Sequence, residues 1–151
     1  MVKGEYLSLL EGPMAEAPAG YEARVVRDWH VPQGADTNCT FEYGEDDGGV
    51  TPFVGTEFIS EGWTAQAQVR PGVGQPPWVV FLSTSGIGPR IDMDDDGRVA
   101  IVLPHAATES AEWNGRDVGF YDLEITSPDN ERTRLAMGMV IISHDVTRDV
   151  I

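Results

Sequence analysis

Polar and apolar positions alternate along most of the chain from residue 21 onward. TNCTFEY (37–43) sets Cys39, Phe41 and Tyr43 on one face and Thr40 and Glu42 on the other, as a half-buried strand requires. WTAQAQVR (63–70) does the same, with Trp63, Ala65, Ala67 and Val69 inward and Thr64, Gln66, Gln68 and Arg70 outward. RVAIVLP (98–104) puts Val99, Ile101 and Leu103 on one face, and GFYDLEIT (119–126) does so with Tyr121, Leu123 and Ile125. EARVVRDWHV predicts a first strand over about residues 22–31, broken by Pro32-Gln33-Gly34. WVVFLST (78–84) reads as a more fully buried strand, and RTRLAMGMVIIS (132–143) as the last one. GEDDGG, PGVGQPP and SPDNE fall between strands as loops or turns. Helical periodicity is nearly absent; only ATESAEW (107–113) suits a short helical turn. About seven strands separated by Gly, Pro and Asp turns predict an all-β fold, a single immunoglobulin-like β-sandwich over residues 21–151. No repeat of fixed period is present.

Residues 1–20 (MVKGEYLSLLEGPMAEAPAG) break this pattern. They are rich in Ala, Gly, Pro and Glu, with one apolar knot at Tyr6, Leu7, Leu9 and Leu10. They are expected to form an N-terminal arm outside the core. The bland alternative is a frayed terminus. Four such side chains are costly to leave in water, so Tyr6, Leu7, Leu9 and Leu10 are the candidate contacts to another subunit.

Composition narrows the classes. The 151 residues fit one domain with a sizeable core, and 41% hydrophobic with 23% charged residues is a globular balance. A net charge of -15 argues against nucleic acid and anionic membrane surfaces as partners, since both need a basic patch. Cys39 is the only cysteine, so no intramolecular disulfide and no cysteine metal cluster can form within one chain. The N-terminal residues lack a long apolar stretch with a cleavage site, so secretion is not expected, and Asn38-Cys39-Thr40 is a chance glycosylation acceptor. The apolar runs 78–82 and 99–103 are too short to span a membrane.

IDMDDDGR (91–98) sets Asp92, Asp94 and Asp96 at alternate positions before Gly97, as an EF-hand calcium loop begins. That loop needs a bidentate Glu at its twelfth position, where this chain has Leu103, and helices on both sides, where this chain alternates. Asp-Gly is instead a strong hairpin signal. A hairpin through residues 94–98 aligns Ile91, Met93, Val99, Ile101 and Leu103 toward the core.

No catalytic pattern stands out. His30, His105 and His144 are isolated in sequence, GVGQPP opens a strand and not a helix, and no serine sits in a nucleophile elbow. Neither a cofactor nor a metal is expected, and the chain is expected not to be an enzyme. Trp29, Trp63, Trp78 and Trp113 are candidates for a sugar-stacking platform, although the inward positions of Trp63 and Trp78 favour core packing.

From about residue 34 to 148 the chain resembles the small β-sandwich proteins of long-tailed phages, which include tail collar and minor tail proteins. The resemblance rests on GADTNCTFEY, GWTAQAQVRP, GRVAIVLPHAATESAEW and GFYDLEITSPDNERTRLAMGMVIISHDVTR. The matched positions near the end are Tyr121, Asp122, Leu123, Glu124, Arg134, Leu135, Gly138, Val146, Thr147 and Arg148. FVGTEFISEG (53–62) departs from the Asp-Leu-Thr-Gly-like turn of that pattern, and the arm lies outside it. The resemblance implies a structural virion protein assembled in the host cytoplasm. Its expected partners are copies of itself, as a homo-oligomer, and other tail proteins. Two alternatives are a capsid decoration or head–tail connector protein, and a carbohydrate- or calcium-binding adhesion module using loops 44–49 and 92–97 and Trp113.

Overall fold

The computed structural model describes residues 4–9, 25–46, 53–72 and 74–144. Its strands are β1 (Gly4–Leu9), β2 (Val25–Val26), β3 (Trp29–Pro32), β4 (Thr37–Asp46), β5 (Val54–Gly55), β6 (Thr64–Arg70), β7 (Val79–Leu82), β8 (Arg90–Met93), β9 (Arg98–Leu103), β10 (Val118–Thr126) and β11 (Arg132–Ser143). Two one-turn helices, α1 (Phe58–Glu61) and α2 (His105–Thr108), and a 3-10 turn over Ala111–Trp113 interrupt them.

The strands form two sheets packed face to face. One runs β1-β4-β9-β8, with β5 on β4; the other runs β2-β11-β10-β6-β7, with β3 also on β11. This is the strand order of an immunoglobulin sandwich: β1, β4, β9 and β8 stand as A, B, E and D, and β11, β10 and β6 as G, F and C. The expected all-β sandwich is therefore present. Gly4–Leu9, within the segment read as an arm, forms its edge strand β1.

Alternation dictates the core. Cys39, Phe41 and Tyr43 of β4 and Val99, Ile101 and Leu103 of β9 pack against Ala65, Ala67 and Val69 of β6 and Tyr121, Leu123 and Ile125 of β10. Each large aliphatic or Phe side chain buried this way contributes about 1.5–3 kcal/mol. The acidic segment is the expected hairpin: β8 and β9 pair antiparallel, with Ile91 opposite Ile101 and Met93 opposite Val99.

Three elements differ from the sequence reading. The stretch 78–84 is not fully buried: Phe81 is, but Val80 and Leu82 are 42% and 39% exposed. Among the described residues β7 pairs only with β6, at the sheet edge, so one face meets the core and the other meets water. The first strand is split into β2 and β3, both parallel to β11. At the split, Arg27 N–H donates to Met137 O at 3.0 Å, and the Tyr121 hydroxyl donates to Arg27 O at 2.6 Å. A Cβ on Gly138 would lie 2.0 Å from Arg27 O, so this residue must be glycine for the backbones to approach so closely. A β-bulge lies nearby: Leu123 faces Ala136 while Glu124 faces Arg134, leaving Leu135 extra. Leu135 and Ala136 are accordingly both buried, although adjacent. Finally, α1 has no counterpart in the sequence reading, and Phe58 anchors it in the core.

Candidate interaction surfaces

Three of the four residues expected to contact another subunit, Tyr6, Leu7 and Leu9, fall on the edge of the first sheet. β1 runs antiparallel to β4, with Tyr6 opposite Gly44, Leu7 opposite Tyr43 and Leu9 opposite Phe41. Leu10 lies outside the described residues. The other edge of β4 is already occupied. β9 pairs with it from Thr37 to Glu42, and β5 takes Gly44 and Glu45.

That far edge closes over a junction of three glycines. A Cβ on Gly44 would lie 2.1 Å from Val54 O, and one on Gly55 would lie 1.8 Å from Asp96 O. Gly97, at φ +86°, would place a Cβ 2.3 Å from Tyr43 O. Only glycine lets β4, β5 and the β8–β9 turn meet so closely.

The acidic turn is used locally. Asp94 Oδ1 accepts from Asp96 N–H at 2.9 Å and Arg98 N–H at 3.0 Å, which fixes the hairpin. Asp95 reaches the N-terminal end of α1. Its Oδ1 accepts from Ile59 N–H at 2.8 Å and Ser60 N–H at 2.9 Å, and its Oδ2 accepts from the Ser60 hydroxyl at 2.6 Å. The Ser60 hydroxyl, then the Ser60 and Ile59 N–H groups, hold the Asp95 carboxyl below its usual range. Among the described residues, no three His, Cys, Asp or Glu side chains are grouped to hold a metal ion.

Trp63 stands between two depressions at this end. It packs edge-on against Phe58 (5.6 Å between centroids) and Tyr43 (6.0 Å), and its Nε1–H donates to Glu61 Oε1 at 3.2 Å. A groove of about 800 Å³ on one side is lined by Trp63, Tyr43, Phe53, Glu42, Glu57 and Asp96, among others. A smaller depression of about 340 Å³ on the other side is floored by Phe58, Ile59, Ile91 and Met93. Trp63 is therefore half-buried against the core, and not a fully inward residue.

The other tryptophans form no platform. Trp29 and Trp113 are buried, so Trp113 has no open face for a ligand. Trp78 packs on Trp113 at 5.2 Å, and the Arg116 guanidinium lies 5.4 Å from the Trp78 ring centroid.

Two histidines pair with carboxylates at the opposite end. His105 N–H and Nδ1 lie 2.7 and 2.9 Å from Asp36 Oδ1, so Asp36 holds the first turn of α2. The hydrogen bond to Asp36 raises His105 above its ordinary range, and the His105 hydrogen bonds lower Asp36. His144 lies 3.0 Å from both Gln33 Oε1 and Asp117 Oδ1. Gln33 is itself buried, with its Nε2–H donating to Thr108 O at 3.0 Å. These groups tie loops to strand ends, and no nucleophile is hydrogen-bonded to either ring in the described residues. His30 is exposed on β3.

No family model matches the chain, and no curated protein matches it.

Proposed function

We propose that the chain is a non-enzymatic structural component of a phage virion, a minor tail or collar-type protein. It forms a ring, or decorates the tail, and holds neighbouring tail proteins. The observation that carries this reading is the placement of Tyr6, Leu7 and Leu9 on β1, the edge strand of the first sheet. A sheet edge is where a chain adds to another by main-chain hydrogen bonds. The virion setting rests on the resemblance to phage sandwich proteins. In support, the matched residues Tyr121, Leu123 and Gly138 occupy the central strands and the crowded β11 crossing. The test is to tag the chain in the replicating phage and purify the particles. The tag should copurify with tail proteins and label the tail in electron micrographs. Purified particles that lack the tagged chain would overturn the reading.

The groove beside Trp63 favours a second reading, a carbohydrate-binding adhesion module. The half-buried Trp63 and Phe53 rings offer stacking faces, and Glu57 and Asp96 offer acceptors for sugar hydroxyls. Glycan-array binding abolished by Trp63→Ala, in a variant that still folds, would support it; an array without signal would reject it.

A further inference from the structure

We propose that the groove beside Trp63 is a cation-binding site, which takes an arginine-bearing segment of a partner protein. This goes beyond the assembly reading and depends neither on β1 nor on the virion setting.

Two independent features of the groove converge. The first is a preformed concavity with an aromatic wall. Its volume of about 800 Å³ lies within the range of ligand pockets, so it has room for a peptide segment. Trp63 forms one wall. Phe58 and Tyr43 pack against its ring, and its Nε1–H donates to Glu61. Gly44 and Gly55, from the crowded glycine junction, also line the groove. Asp95 clamps α1 alongside through the Ile59 and Ser60 N–H groups. The walls are thus held in place before a ligand arrives, which lowers the ordering cost of binding.

The second feature is charge. The described lining includes six Asp or Glu residues and no Lys, Arg or His. Glu61 and Asp95 are engaged with the walls. Glu57 and Asp96 differ from them. Both are exposed, and among the described residues neither side chain has a hydrogen-bond or ion-pair partner. On the adjoining hairpin, Arg90 is occupied by Asp92 at 3.0 Å. The net charge of -15 adds to the negative field, and a concave wall focuses it on cations.

A guanidinium answers both features at once. Its flat face stacks on an indole, and its N–H fork donates to carboxylates. The chain makes the first of these contacts elsewhere, where Arg116 lies 5.4 Å from the Trp78 ring centroid. A lysine ammonium is more strongly hydrated and lacks the fork. A neutral sugar stacks on Trp63 but leaves the charges of Glu57 and Asp96 unanswered.

The test is a titration of the ¹⁵N-labelled full-length chain with a short blocked peptide of glycine and arginine. The readout is the Trp63 indole N–H signal, assigned by its loss in Trp63→Phe. A saturable shift of that signal is expected, weakened by added salt. The Glu57→Gln/Asp96→Asn variant should bind about tenfold more weakly or worse. The same peptide with citrulline, the neutral isostere of arginine, should leave the signal unmoved, and that arm needs no variant. No shift with the arginine peptide would overturn the proposal. So would an equal shift with the citrulline peptide, or an unchanged affinity in the folded double variant. Free L-arginine binding as tightly as the peptide would overturn the assignment to a partner segment.

Discussion

The Tyr121 hydroxyl donates to the carbonyl oxygen of Arg27 at 2.6 Å, joining the central strand β10 to the break between β2 and β3. Both residues are buried, and Trp29 packs edge-on against the Tyr121 ring at 5.8 Å. Burial and the neighbouring Cys39 thiol push the hydroxyl well above its ordinary range, so it remains a donor at every working pH. Tyr121→Phe leaves a buried carbonyl without this donor and is expected to cost about 1–3 kcal/mol. The urea midpoint should fall with an unchanged slope. A midpoint equal to that of the unaltered protein would show that Arg27 O is satisfied in another way.

Gly138 faces the same carbonyl. Gly138→Ala forces the β2–β3 backbone away from β11 and is expected to cost about 1–3 kcal/mol or more. Gly86→Ala is the control, because a Cβ there meets nothing within 4 Å. Thermal melting should separate the two variants clearly. Equal melting temperatures would contradict the crowding at the β2–β3 break.

Trp113 and Trp63 should also separate. Trp113 is fully enclosed, so Trp113→Ala is expected to cost about 3–5 kcal/mol. Trp63 is half-buried, and its truncation is expected to cost less. Denaturant unfolding of both variants checks the order, and the reverse order would place Trp63 deeper than Trp113.

How much of this was legible in the sequence follows from which forces are local. Cys39, Phe41, Tyr43, Val99, Ile101 and Leu103 announce their faces by strict alternation, and all six are buried. The run at 78–82 misleads because an apolar stretch looks alike in a central and an edge strand. Only the pairing partner decides how far Val80 and Leu82 are exposed. α1 escapes notice because four residues carry no helical period, and the carboxylate at its N-terminal end, Asp95, lies more than thirty residues along the chain. The split at Arg27 depends on Gly138 and Tyr121, which are also distant in sequence. At the candidate surface, the apolar knot of Tyr6, Leu7 and Leu9 is visible in composition. Its register on β4 is a long-range pairing that no local pattern encodes.

The His105–Asp36 pair gives a pH dependence whose sign is fixed. The raised His105 contributes stability that is present below its ordinary value and lost as pH rises through the raised one. The lowered Asp36 contributes stability that is lost as pH falls below the carboxylate range. The pair therefore helps most between about pH 4 and 6.5. Asp36→Asn keeps an acceptor for the His105 N–H but removes the charge. Its melting temperature should fall less between pH 6 and 8.5 than that of the unaltered protein. An identical fall would mean that the pair does not contribute.

Under the proposed function, residues 1–20 join copies of the chain while the remaining sandwich folds without them. Light scattering on the full chain and on a chain beginning at residue 21, at matched concentrations, tests it most directly. An oligomer is expected for the first and a folded monomer for the second, since β4, β6, β9, β10 and β11 supply the shared core. A full-length monomer, or a truncated chain that assembles equally well, would contradict it.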